Sequence, residues 1–192
     1  MRACNHRWSL HIELVLWAVA AVARAADPVY VQDLTRAPDR SISQTERVET
    51  FAKMDAYARA GHLPVLRDGD PDELRLWITV ALFDKGTDGY IFSTDHASKC
   101  VVKGNVVSGP PSSSYRGHCK SDRRLFSHHK PLSELSALAE LDGRSLACGV
   151  LDGYWIEIEG VSGGHRFALY SDNPSECSDD GSKLVAKLSS NL

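Results

Sequence analysis

The sequence predicts an α+β fold: an antiparallel sheet of about five strands, built from two hairpins, with two or three helices packed on one face. Alternating apolar and polar residues mark the strands. Capping or proline signals before apolar residues at helical spacing mark the helices. These segments follow one another as helix, hairpin plus strand, helix, hairpin and helix. The chain has 192 residues, which suits one domain with its own core.

The first 25 residues have the pattern of a cleaved secretory signal peptide. Basic residues precede a run of nine apolar residues at 14–22, and Ala23 and Ala25 provide the small side chains that signal peptidase requires. A transmembrane anchor would need about 20 apolar residues, which is more than this run supplies. We therefore expect export to the periplasm or the extracellular space, with no stable membrane insertion after cleavage.

A single domain is expected over residues 43–192, after a flexible arm over residues 26–42 that holds two prolines and little periodicity. The first helix begins at Ser43, because Ser43 and Glu46 form a capping box in which each side chain accepts from a free backbone N–H group. Gly61 stands where a helix commonly ends.

The later elements follow from the same signals. The strand that begins at Leu74 becomes apolar on both sides toward its end, which is typical of a central strand. In the second hairpin, Glu157 and Glu159 face away from the apolar residues of their strand. The segment 108–124 is rich in Ser, Gly and Pro and is expected to be a loop. The predicted strands are 74–83, 90–93, 100–107, 154–159 and 165–170, and the remaining predicted helices are 131–141 and 182–188.

Removal of the first 25 residues would leave four cysteines, and an even number in an exported chain favours disulfides. Turn signals lie midway between Cys100 and Cys119, and again midway between Cys148 and Cys177. A chain that folds back at each turn brings each cysteine opposite its partner, so we predict the pairs 100–119 and 148–177. The crossed pairing and four free thiols are the alternatives.

The charge of the chain bears on its partners. The formal net charge is −3, and loss of three arginines and one glutamate with the first 25 residues would make it −5. Nucleic-acid-binding domains usually have a basic patch and a high pI, so we expect no nucleic-acid partner. With 43% hydrophobic and 24% charged residues, the chain has the composition of an ordinary globular protein.

Two sets of side chains are candidates for binding. The first set is a candidate binding face of aromatic residues on the proposed strands, Trp77, Tyr90, Trp155 and Tyr170. The alternative is that these side chains pack in the core. Histidines near the first cysteine pair are candidate zinc or copper ligands: His96, His118, His128 and His129. Their alternative is a place in polar surface loops, and no motif in the sequence indicates a cofactor.

Short motifs for catalysis or metal binding are incomplete. Asp68, Asp70 and Asp72 match the first ligands of a calcium loop, but Glu73 stands where that loop needs glycine, and Thr79 where it needs glutamate. An exposed acidic turn is therefore favoured. Signatures of nucleophile elbows, zinc proteases, phosphate loops and dinucleotide-binding turns are absent from the sequence.

These observations favour an exported, disulfide-stabilised, non-enzymatic domain of the protein-binding, inhibitor or immunity type, with a protein partner in the cell envelope. The segment 152–160, followed by Phe167 and Tyr170 and by Asn173-Pro174, resembles the closing hairpin of small exported bacterial proteins, a resemblance that names no family. A small secreted hydrolase or metal-dependent enzyme, using loop His and Asp residues such as His96 and His118, is the alternative. A third hypothesis is that the protein is a structural component of the cell envelope.

Overall fold

The computed structural model describes residues 40–80, 86–104, 115–128, 131–147 and 153–192. The predicted signal peptide and most of the predicted arm lie outside these ranges. The described residues form one mixed sheet of eight strands and four α-helices. The α+β class is confirmed, whereas the sheet has more strands than predicted and is not wholly antiparallel.

The elements have the following bounds. The strands are β1 Arg40–Ser41, β2 Glu73–Val80, β3 Thr87–Ser93, β4 Ala97–Lys103, β5 Arg116–Ser121, β6 Arg144–Ala147, β7 Tyr154–Ser162 and β8 His165–Asp172. The helices are α1 Gln44–Ala60, α2 Arg123–His128, α3 Leu135–Ala139 and α4 Asp180–Ser189. Single 3-10 turns at Pro131–Glu134 and Pro174–Glu176 precede α3 and α4. Among the described helices, none is long and apolar enough to span a bilayer.

The strands lie in the order β1-β6-β8-β7-β2-β3-β4-β5. Neighbouring strands are antiparallel except β6 and β8, which are parallel. Strand β2 pairs with β7 on one side and β3 on the other, so the prediction of a central strand is confirmed. The hairpin of β7 and β8 is confirmed as well, and it turns through Gly163 and Gly164, whose positive φ angles of 57° and 81° favour glycine.

Helices cover both faces of the sheet, which corrects the prediction of helices on one face. On the first face, α1 packs Met54 and Tyr57 against Trp77 of β2. The second face, which carries Leu74 and Leu76 of β2, is covered by side chains of the other helices: Leu125, Leu135, Leu138, Val185 and Leu188. Successive strand residues point to opposite faces, so the large apolar side chains of β2 require cover on both sides.

The sequence signals do not predict β1, β5, β6 or α2. Strand β5 has the sequence Arg-Gly-His-Cys-Lys-Ser and lacks apolar alternation. Strands β1 and β6 have two and four residues, too few to show a period. Residues 40 and 41, at the end of the predicted arm, pair with β6 instead of remaining outside the sheet.

The disulfide between Cys100 and Cys119 confirms the first predicted pair. The two residues lie directly opposite each other on β4 and β5. A Cβ atom at Gly61, where α1 ends, would lie 2.7 Å from the Cys119 Sγ, so the helix end packs closely on the bridge. Cys177 is also disulfide-bonded, whereas Cys148 lies outside the described residues, so their pairing stays a prediction.

The capping box of α1 is present as predicted, and it gives stability a dependence on pH. Ser43 Oγ accepts from the Glu46 N–H, and a Glu46 oxygen accepts from the Ser43 N–H at 2.7 Å. Hydrogen bonds from the Arg40 guanidinium and the Ser43 backbone lower the pKa of Glu46 to about 2, from 4.5. A carboxylate with a lowered pKa stabilises the fold above its unfolded pKa and loses this contribution as the pH falls toward the folded one.

We predict that Glu46→Gln lowers the free energy of unfolding at pH 7, and that its difference from the wild type shrinks between pH 4.5 and pH 2. Urea denaturation across this range measures the difference. Glu49→Gln, on the exposed side of the same helix, removes the same charge and is the control. A difference for Glu46→Gln that does not change with pH would contradict the prediction.

Candidate binding face

Five exposed side chains with basic groups extend from the last two strands of the sheet, on its second face. Cys100 lies in the core beneath α1, so its neighbour on β4, Lys99, points to the other face, and so does Lys103. The register of β4 and β5 places three residues of β5 on the same side: Arg116, His118 and Lys120. We call these five residues the basic face.

The described residues supply little negative charge to the basic face. Neither β4 nor β5 contains an acidic residue. No lysine or arginine of the basic face forms an ion pair with a described carboxylate. Contact with the Tyr90 side chain raises the pKa of Lys99, and the charges of Asp88 and Asp122 add to this rise. Lys99 is therefore fully charged at neutral pH.

The net charge of the chain does not reveal the positive charge around β4 and β5. Residues 97–130 hold seven of the 22 Lys and Arg residues and one of the 25 Asp and Glu residues. This segment therefore has a formal charge of +6, and the rest of the chain has −9. The net charge of the chain therefore gives no indication of the basic face. A count of charge by segment is the signal that finds it.

Two more cations extend the basic face. Helix α2 begins right after β5, and the Asp122 carboxylate accepts from the Arg124 N–H at 2.9 Å at its start. Leu125 packs in the core of the second face, so α2 lies on the same side as the basic face. The side chains of Arg123 and Arg124 are exposed.

The four aromatic candidates do not form one face. Trp77 is fully buried beneath α1, in the core of the first face. Tyr90 is 7% exposed and belongs to the second face, beneath Lys99, whose Nζ lies 4.9 Å from the ring centroid. Trp155 and Tyr170 lie opposite Thr79 and Glu157, on the first face, and are partly buried.

The disulfide does not bring the candidate histidines together. His118 lies opposite Val101, whereas His96 directly precedes β4, five residues earlier. Strand residues rise about 3.3 Å each, so the backbones of the two residues are roughly 16 Å apart along the sheet. His128 ends α2, and His129 lies outside the described residues. Among the described residues, no three His, Cys, Asp or Glu side chains converge on a metal position.

A serine, a histidine and an aspartate do meet at the exposed β3–β4 turn. The His96 Nδ1 lies 2.6 Å from the Ser93 Oγ and 2.7 Å from the Asp95 Oδ1. A catalytic relay requires serine and aspartate on different ring nitrogens, and here both contact the same one. The cluster closes the turn, and hydrogen bonds from His96 and Ser93 lower the pKa of Asp95.

The acidic turn before β2 holds another turn in place. The Asp68 carboxylate accepts from the Arg166 N–H at 2.7 Å, and the Asp72 carboxylate accepts from the Gly163 N–H at 2.9 Å. Asp70 accepts from the Arg67 N–H within its own turn. These carboxylates therefore satisfy backbone donors at the β7–β8 hairpin.

An open groove of about 530 Å³ lies between the end of β2 and helix α4. Its lining includes Ile78, Tyr154 and Lys187, and contains no histidine or carboxylate. Lys187 is already paired with Glu134 at 2.9 Å. The groove therefore gathers no set of catalytic groups among the described residues.

A buried ion network joins the central strands on the first face. The fully buried Arg75 donates from Nε to a Glu73 oxygen at 2.6 Å, and its Nη1 lies 3.7 Å from the Glu159 Oε1. The same Glu159 oxygen accepts from the Trp77 indole at 3.3 Å. Glu159 therefore points to the other side of its strand from the apolar residues, as the sequence predicts. Helix α1 covers this side of the sheet.

The network also fixes α1 to the sheet. The Arg166 Nη2 donates to Glu159 at 2.8 Å and to Asp55 of α1 at 2.6 Å. Burial lowers the pKa of Arg166, but the hydrogen bonds and charges of Glu159 and Asp55 outweigh it and raise this pKa. Lys53 of α1 pairs with the buried Glu157 at 2.8 Å. These ion pairs join α1 to the central strands inside the fold, so we assign the network a structural role. Both Nη atoms of Arg75 and the Nε of Arg166 are buried without a hydrogen-bond partner among the described residues.

We predict that Glu159→Leu lowers the free energy of unfolding by about 3 kcal/mol, because it removes the carboxylate that Arg75 and Arg166 share and leaves each guanidinium with one acidic partner instead of two. The double variant Arg75→Leu, Glu159→Leu should lose less than the two single losses added together. Urea denaturation gives these values. Lys187→Leu removes an exposed ion pair and should cost about 1 kcal/mol at most. A Glu159→Leu loss as small as that of Lys187→Leu would contradict the structural role.

Comparison with known proteins does not assign the chain to a family. No protein-family model matches the chain, and no match is found among curated proteins or among solved structures.

Proposed function

We propose that this protein is an exported, non-enzymatic binding domain that recognises an acidic protein partner through the basic face. The observation that carries the proposal is the concentration of positive charge on β4 and β5, which has no ion-pair partner among the described carboxylates, in a chain that is negative overall. Opposite charges on two proteins speed their encounter and select the partner. An inhibitor or immunity-type role fits this description, since such proteins act by binding.

Export is supported by two features. The first 25 residues have the signal-peptide pattern, and a disulfide such as Cys100–Cys119 persists in oxidising compartments. The proposed partner is therefore a protein of the cell envelope or the extracellular space. The hydrolase alternative gains no support from the described site geometry, because His96 and His118 lie apart and Ser93 contacts the same ring nitrogen as Asp95.

Binding of fluorescent poly-L-glutamate, measured by anisotropy at low and at physiological salt, tests the proposal. The double variant Arg116→Glu, Lys120→Glu should weaken binding by about tenfold or more, which is about 1.4 kcal/mol for two reversed charges. Wild-type affinity should fall as salt increases, because exposed charges are screened.

The matched control is Lys183→Glu, Lys187→Glu on helix α4, which changes the net charge by the same amount away from the basic face. This variant should keep the wild-type affinity within about twofold. Equal loss in both variants would show that net charge alone governs binding, and absence of wild-type binding at low salt would contradict the proposed function.

A further inference from the structure

We propose that the partner binds as an additional strand: an extended acidic segment pairs with the outer edge of β5 and places its carboxylates against the basic face. This inference rests on the proposed function and specifies how the partner is held. Strand β5 is the last strand of the sheet, and no other described strand pairs with its outer side. It has six residues, which is enough for a short strand ladder.

The backbone groups that face outward can be assigned from the register. The Asp122 N–H donates to the Ala97 carbonyl at 2.8 Å, which continues the ladder of β4 and β5. Antiparallel pairs alternate between hydrogen-bonded and non-hydrogen-bonded, so His118 and Lys120 also bond to β4. Gly117, Cys119 and Ser121 alternate with these residues along β5. Their N–H and C=O groups therefore point away from β4, toward the outer side of the sheet.

The edge is held rigid before any partner arrives. The Cys100–Cys119 disulfide ties β5 to β4 at mid-strand, and Gly61 at the end of α1 packs on the sulfur of Cys119. An edge that is already ordered loses less conformational entropy when a segment binds to it. This order distinguishes β5 from the two-residue strand β1 at the other edge of the sheet.

The charges select what can pair with the edge. Lysines on an edge strand commonly prevent pairing with other copies of the same protein. Two β5 strands side by side would set Arg116 and Lys120 against like charges, which disfavours a second copy as the occupant. An acidic strand meets the same side chains with opposite charge. The occupant is therefore an extended segment with carboxylates at alternate positions, all on one side.

A synthetic peptide of alternating Thr and Glu residues tests the mode of binding. In the proposed pairing the Glu residues lie opposite Arg116, His118 and Lys120, and the Thr residues bond to Gly117, Cys119 and Ser121. N-methylation of the Thr amides removes the bonds to β5 and should weaken binding by about tenfold or more. N-methylation of the Glu amides, which point away from β5, adds the same number of methyl groups and should leave affinity within about twofold.

A change on the protein gives an independent test. Ser121→Pro removes one outward N–H and keeps every cation, and an edge position accepts proline in the folded sheet. It should weaken binding of the unmodified peptide, whereas Ser121→Ala should not. Thermal unfolding of both variants verifies that they are folded. If Ser121→Pro does not fold, the methylated peptides still test the proposal on the wild-type protein.

The outcomes separate the two proposals. Equal binding of both methylated peptides and the unmodified one overturns strand addition and leaves the proposed function standing. Failure of every acidic peptide to bind, at low salt, overturns the proposed function and the inference with it. Binding of dextran sulfate without binding of the peptide overturns an acidic segment as the occupant.

Discussion

The disulfide between Cys100 and Cys119 is the constraint on which the far end of the sheet depends. It joins two residues that must lie directly opposite each other, so it fixes the register of β4 and β5. A slip of β5 by one residue would turn Arg116, His118 and Lys120 toward the face beneath α1 and bring Gly117 and Cys119 to the opposite face. Strand β5 has too few apolar residues to fix its own register by burial, so the covalent bond takes that role.

The two faces of the sheet use charge in opposite ways. On the first face, the buried Arg75 and Glu159 and the largely buried Arg166 form ion pairs, and this network attaches α1 to the central strands. At the β4–β5 end of the second face, lysines and arginines are exposed and have no described ion-pair partners. Burial is tolerated where charges are paired, and unpaired charge remains where water or a partner can reach it. This difference is why the first set is assigned to structure and the second to binding.

Strong local signals allowed the sequence to predict much of the fold. The capping box of Ser43 and Glu46, the central strand β2, the hairpin of β7 and β8 and the first disulfide are all confirmed. The short or polar strands could not be predicted, because β5 alternates between basic and small residues instead of between apolar and polar ones. Helices on both faces were missed because α1 places the charged Lys53 and Asp55 next to its apolar contacts, which obscures the face it buries. The candidate site was missed for a different reason: residues far from β5 cancel its charge in the net total, and strand pairing, which depends on the whole fold, is needed to bring β4 and β5 together.

The bridge holds β5 as an ordered edge, with one set of backbone groups bonded to β4 and the other set directed away from the described strands. Hydrogen–deuterium exchange of the oxidised protein alone, followed by NMR, measures this directly for each amide. The amides of His118 and Lys120 should exchange slowly, and those of Gly117, Cys119 and Ser121 should exchange quickly. Slow exchange of all five would show that another segment covers the edge, and the reverse pattern would show a different register; either result would contradict the account.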